Sequence, residues 1–350
     1  MAGIQRNFSM AQYWNKIAED WKPLLKFQGR TKKDWEQWRK GAYPKFLELL
    51  GAFPRKVPLQ AEVESSVEDG NLIRERVVFN SEEFMSVPCQ VLRPKTMKPD
   101  RKNPAIICSH GHGPFGKDAV AGIKSSAERE QDIKAHNYNY GQQMAEAGFL
   151  TISPDLRVFG ERRDVIDPHE NPFPGRDPCN VNFIKGALFG IYTLTLNIWD
   201  IKCCVDYLET RPEVAKNRIG MMGLSQGGTM TTFAAAAEPR IAAADIIGYV
   251  NPWAGFAIKR ANFCGSQLVP QIHRYFDTDD IAGLIAPRPL LVEMGIYDDC
   301  FFIQDLLKGY EGVKKIYQAA GCADKLWPDV FPGPHAFSGR KAFDFFRKFL

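Results

Sequence analysis

Ile219-Gly-Met-Met-Gly-Leu-Ser225-Gln-Gly-Gly228-Thr-Met-Thr-Thr-Phe-Ala-Ala-Ala-Ala237 is the stretch whose reading decides the fold. The short apolar run Ile219–Met222 reads as a buried strand, and Thr229–Ala237 reads as a helix. Between them Gly223-Leu-Ser-Gln-Gly227 describes a sharp turn with Ser225 at its tip and glycines where strand and helix approach closely. The G-x-S-x-G pattern alone is expected by chance in roughly one in ten chains of this length. Its setting, between a strand and an Ala-rich helix, makes it a candidate nucleophile. The first N–H groups of that helix would also face developing negative charge.

Working outward, further short apolar runs are bounded by Gly, Pro or Asp: Ala105–Ser109, Phe149–Ser153, Ile241–Val250, Pro289–Met294 and, more weakly, Trp327–Phe331. Leu72–Asn80 and Phe84–Arg93 suggest an antiparallel pair. Helical patterns over 197–208, 229–237 and 302–319 separate several of these runs. Such alternation predicts an α/β fold, a mainly parallel sheet of roughly eight strands with helices on both faces. Residues 1–60 read as a helical, aromatic-rich N-terminal extension, and 61–350 as the catalytic domain. Two stretches, about 157–192 and 251–278, are longer than plain connections and read as cap-like insertions.

Three further motifs carry chemistry. Ser109-His110-Gly111-His112-Gly113 follows the run Ala105–Cys108 and is placed to supply a second oxyanion-hole N–H beside that of Gln226. The amide of His112 is the expected donor, with Gly113 competing. Metal binding by His110 and His112 lacks an Asp, Glu or Cys at useful local spacing, so no metal is expected. Phe331-Pro-Gly-Pro-His335 puts a histidine in a loop after the last candidate strand, where it could act as general base at neutral pH. Pro289–Met294 leads to Gly295-Ile-Tyr-Asp298-Asp299. Asp298, three residues past the glycine, is the favoured acid and Asp299 its competitor. The chain order is therefore Ser, Asp, His. His136, His169 and His273 fall in helical or cap regions, as structural or substrate-contact residues. In Asp155-Leu-Arg157…Glu161, solvated loop charge is the plainer reading. Arg157 and His110 are the residues there and in the His-Gly loop that could touch substrate.

Charge excludes some partners. With 45 Lys and Arg against 41 Asp and Glu, the net charge is +4, which gives no reason to expect nucleic acid or an anionic membrane. No run reaches the 18 or so apolar residues of a membrane span. The N-terminus lacks the apolar core of a secretory signal. Eight cysteines form no C-x-x-C pair, which fits reduced thiols and a cytoplasmic location. Trp14, Trp21, Trp35 and Trp38 in the N-terminal segment are sites where a homo-oligomer could form.

The chain resembles the dienelactone hydrolase and acetyl xylan esterase-like branch of the α/β-hydrolases. The carrying residues are Ser109-His-Gly-His-Gly113, Pro154-Asp-Leu-Arg157, Gly223-Leu-Ser-Gln-Gly-Gly228, Ile285-Ala-Pro-Arg-Pro-Leu290 and Gly333-Pro-His335. The similarity spans about residues 60–350. The resemblance implies a serine hydrolase that cleaves small-acyl carboxylic esters through an acyl-enzyme, without a metal or other cofactor. Lactone or peptide cleavage by the same groups, a non-catalytic binding protein, and a lyase or transferase of the same fold are the alternatives.

Overall fold

The computed structural model describes residues 6–163 and 175–350. Nine strands form one sheet: β1 Glu62–Asp69, β2 Leu72–Glu82, β3 Met85–Pro94, β4 Asn103–Ser109, β5 Leu150–Pro154, β6 Val214–Leu224, β7 Ile241–Ile247, β8 Leu290–Gly295 and β9 Leu326–Phe331. Their spatial order is β1-β2-β3-β5-β4-β6-β7-β8-β9. β1, β2, β3 and β5 pair antiparallel, while the pairs from β5–β4 through β8–β9 are parallel. The expected eight strands are present. The ninth, β1, is exposed at all eight of its positions, so it carries no apolar alternation for a sequence reading to detect.

Period-two alternation sorts the central strands onto two cores. Ala105, Ile107, Ile219, Met221, Leu290 and Val292 join the larger core, and Ile106, Cys108, Met222 and Leu291 join the other. Both faces of these strands are apolar, which is why they read as continuous apolar runs. The larger core is covered by the helices Thr193–Thr210, Gln226–Ala237 and Ile303–Ala319. Ala127–His136, Tyr140–Glu146 and Ala342–Phe349 lie against the other.

The N-terminal segment forms two helices, Met10–Asp20 and Lys32–Leu50. The second starts in a Thr31/Asp34 capping box, each side chain satisfying an N-terminal N–H. Its Phe46 is fully buried against Phe233 and Phe276, with ring centroids 6.0 and 6.4 Å apart. Thus this helix shares the main core. Trp35 and Trp38 pack against that core, whereas Trp14 and Trp21 stay largely exposed. Among the described residues no single helix is long and apolar enough to cross a membrane. Of the first insertion, residues 164–174, His169 among them, lie outside the described residues.

β4 is the point where strand order reverses, with β5 on one side and β6 on the other. Crevices at the carboxyl ends of such strands are where open α/β sheets place their ligands. Ser109 at the end of β4 is in register with Gly223 near the end of β6. This register sets the His110–Gly113 loop beside the Ser225 turn.

Candidate active site

Ser225 caps β6 with φ 63° and ψ −116°, a left-handed conformation that strains a residue with a side chain. The structure around it holds that strain in place. Ser225 N–H donates to Ile247 O at 3.0 Å, and the next turn packs so tightly that a Cβ on Gly227 would lie 2.1 Å from Ser109 O. Gly111 approaches from the other side. A Cβ there would sit 2.7 Å from the Tyr138 hydroxyl and 3.3 Å from Ser225 Cβ. Both glycines follow from backbone packed against backbone. Ser225 itself stays partly accessible, while the helix behind it is buried throughout.

His335 stands in the loop after β9. Its Nδ1 lies 2.7 Å from Asp298 Oδ2, and both side chains are buried. The other carboxylate oxygen, Oδ1, accepts the N–H groups of Cys300 and Phe301 at 2.8 and 2.7 Å. Asp298 is thus fixed on both oxygens, and the exposed Asp299 is not the residue placed against His335. Phe301 also stacks on the imidazole at 5.5 Å. From behind, Phe337 N–H donates to His136 O at 3.0 Å, and Asn137 Nδ2 donates to Phe337 O at 3.0 Å. His335 Nε2 has no hydrogen-bond partner among the described residues, and none joins it to Ser225. Gly248 follows Ile247, whose carbonyl accepts Ser225 N–H. A Cβ there would be 3.1 Å from His335 Cε1.

Gln226 opens the helix Gln226–Ala237, where the first N–H groups lack intrahelical acceptors. Its side chain is turned aside and donates to Ser266 O at 3.3 Å. The His-Gly loop treats its two histidines differently. His110 is fully buried, with Nδ1 2.7 Å from Gly111 O and Nε2 accepting Leu156 N–H at 2.9 Å. Burial lowers its pKa, so the ring is neutral. Both ring nitrogens are taken up by main chain, which leaves His110 no atom for a substrate.

His112 points the other way. Its ring meets the edge of Phe159 at 5.1 Å, and Nε2 is 3.6 Å from Cys179 Sγ. A hydrogen bond with Cys264 raises the pKa of His112. A cavity of about 310 Å³ opens beside this loop, lined by His112, Gly113, Phe159, Arg163, Asp177 and Cys179 among others. Asp177, Cys179 and Cys264 lie far from His112 in sequence. No spacing rule points to them.

Arg157 is committed elsewhere. Its guanidinium bonds Asp200 at 2.8 and 2.9 Å and Glu82 at 2.5 Å, with only 9% of the side chain accessible. Asp155 is also buried. It accepts the N–H groups of Lys117 and Glu161 and pairs with the fully buried Lys117 ammonium at 3.0 Å. The expectation of solvated charge in this loop is therefore corrected. Asp155 and Arg157 are interior because Lys117, Glu82 of β2 and Asp200 of the helix Thr193–Thr210 meet them, partners that sequence spacing does not show, while Glu161 and Arg163 stay exposed.

A family model described as the Abhydrolase family matches residues 3–311. A Bacillus subtilis (strain 168) protein named "Putative hydrolase YtaP" is 25% identical over 278 residues, 79% of this chain and 87% of that protein. A structure described as "a putative acetyl xylan esterase" from Bacteroides fragilis NCTC 9343 superposes with a TM-score of 0.75 at 18% identity. The match covers 94% of this chain and 84% of that chain. A glucuronoyl esterase from Solibacter usitatus gives 0.65 at 15% identity, covering 93% and 96%. At such identities the likeness to these two structures is one of fold. The family match takes in the helices before β1, the Ser225 turn and Asp298, and the chain belongs to the Abhydrolase family.

Proposed function

We propose that this chain is a serine hydrolase of carboxylic esters, with Ser225 as nucleophile, His335 as base and Asp298 as the group that orients the base. The observation that carries the reading is the 2.7 Å contact between His335 Nδ1 and Asp298 Oδ2, which leaves Nε2 without a partner, in a chain whose strand-to-helix turn holds a strained, partly accessible serine. In this reading Nδ1–H donates to Asp298, so the lone pair lies on Nε2, the atom that must take the Ser225 proton. The serine oxygen attacks the ester carbonyl. The main-chain N–H groups of Gln226 and His112 receive the oxyanion. His335 then returns the proton to the departing alcohol. Water, activated by the same base, releases the acid from the acyl-enzyme.

A small acyl group is the proposed substrate class. Two of the fold neighbours, described as a putative acetyl xylan esterase and a glucuronoyl esterase, support an ester substrate. The test pairs wild type with Ser225→Ala on p-nitrophenyl esters from acetate to octanoate, with mass spectrometry after a fluorophosphonate probe. Expected are adduct formation at Ser225, preference for the short chains and a loss of about 10⁴-fold or more in kcat for the variant. A folded wild type that hydrolyses none of the esters and takes no label would overturn the reading.

A further inference from the structure

We propose that His112, Asp177, Cys179 and Cys264 form a structural zinc site that ties both insertions to the loop bearing the expected oxyanion donor. Each of the four offers a ligand atom, and all of these atoms lie within 4.8 Å of one another. They come from three separate segments: the loop after β4, the start of the helix Pro178–Phe189, and the insertion at 251–278. With zinc–sulfur and zinc–nitrogen bonds of about 2.3 and 2.0 Å, a tetrahedral site sets its S···N edge at roughly 3.5 Å. Cys179 Sγ and His112 Nε2 are 3.6 Å apart.

The surroundings hold these donors in place. Asp177 caps the helix, and its Oδ1 accepts Cys179 N–H at 3.0 Å, which turns the carboxylate toward the group. Gly265 N–H donates to Asn180 Oδ1 at 2.8 Å, pinning the residue after Cys264 to the same helix. The two insertions touch so closely there that a Cβ on Gly265 would lie 2.2 Å from Phe183 Cβ. Phe159 packs edge-on against the His112 ring. Outer contacts of this kind orient the ligands of metal sites.

Donor chemistry selects the ion. Two sulfurs and an imidazole favour zinc over magnesium or calcium. Four protein donors close the shell, so the ion braces the fold and does not activate water. Binding requires both sulfurs as thiolates and His112 neutral, and whatever protons these groups still hold pass to solvent. No electron is transferred. The ion would hold His112 and its amide in position relative to Ser225, linking the insertions to the reaction without entering it.

The test begins with the full chain expressed in zinc-supplemented medium, freed of loose metal by gel filtration and measured by elemental mass spectrometry. One zinc per chain is expected in wild type. Cys179→Ser/Cys264→Ser should lose it, and a chelator should lower the Tm of wild type but not of that variant. Should the double variant fail to fold, Co²⁺ added to metal-free wild type decides alone. Visible bands of tetrahedral cobalt with thiolate charge transfer are expected. Two results overturn the site: no stoichiometric zinc together with no thiolate–cobalt band, or a Cys179–Cys264 disulfide in non-reducing mass spectrometry of freshly purified protein. Ser225→Ala should keep its zinc, so failure of the esterase reading and failure of the metal site are told apart.

Discussion

Behind the loop that follows β5, Asp155 and Asp200 are buried with Lys117, Arg157 and Arg162; behind the loop that carries His335, Asp245, Glu293 and Asp329 are buried with scarcely a cation. Both groups support a wall of the same site, yet they solve the burial of charge in opposite ways. In the first, Asp200 is held down to about 2: burial alone would raise it, and Arg162 and Arg157 overcome that. In the second, burial is the main influence and the neighbours repel. Glu293 is pushed up to about 8, and Asp245 is raised with it by Glu293 and Asp329. Glu293 and Asp245 are therefore pushed toward their uncharged forms. Glu293 Oε2 accepts Ser338 N–H at 2.8 Å, and Asp329 Oδ2 accepts the Ser338 hydroxyl at 2.5 Å, three residues beyond His335. Paired charges make a brace that neutral pH does not disturb, whereas the raised Glu293 makes one that weakens as pH rises toward about 8.

The largest expected break lies on the paired side. Arg157→Met leaves Glu82 without this partner and Asp200 with Arg162 alone, and should cost about 3–5 kcal/mol in denaturant unfolding. Next comes the pH profile of stability. Glu293 binds its proton more tightly folded than unfolded, so its contribution is full below about 4.5 and is lost as pH rises toward about 8. The slope approaches about 1.4 kcal/mol per pH unit at its steepest. Glu293→Gln should flatten that slope in unfolding measured between pH 5 and 8. Asp200 has the opposite sign: its stabilisation is present above about 3.8 and lost as pH falls through about 2.

Smaller is the cost of Ser338→Ala, about 1 kcal/mol for one hydroxyl contact, with a modest drop in kcat because the His335 loop loses an anchor. Smallest of all is Asp245→Asn. Burial, with Glu293 and Asp329 beside it, raises its pKa and so favours the uncharged form, and a neutral amide in its place should move thermal unfolding by no more than about 0.5 kcal/mol. A large loss there would show an ionised Asp245 and erase the contrast between the two groups.

How far sequence reading reached depends on how local each signal is. The Ser225 turn, the His335 loop and the glycine before Asp298 each sit within a few residues of a strand end, where pattern and chemistry coincide. β1 escaped because Glu62–Asp69 is solvent-facing on every residue, and a strand without a buried face has no period to read. Asp155 and Arg157 looked like surface charge because Lys117, Glu82 and Asp200, which accompany them inside, stand far off in sequence. Likewise His112 showed no local partner, since Cys179 and Cys264 come from the two insertions. Asp298 and Asp299 could be separated only by the main-chain N–H groups that grip the first.

The strand that gave no signal has a use at the border of the sheet. β1 and β9 are the two open edges, where another copy could add a strand, though on β9 the carbonyls of Pro328 and Val330 already accept Lys341 Nζ and Arg340 Nη1. On β1, Glu64, Glu68 and Asp69 pair with Arg76, Lys95 and Arg74, so this border carries charged side chains already held within the chain. β9 carries Pro328, which has no N–H to extend a ladder. Charged side chains on one edge and a missing donor on the other are the devices by which edge strands discourage growth of a sheet from chain to chain. The same wholly wet strand that hides from pattern recognition thus marks one border of the sheet with charge.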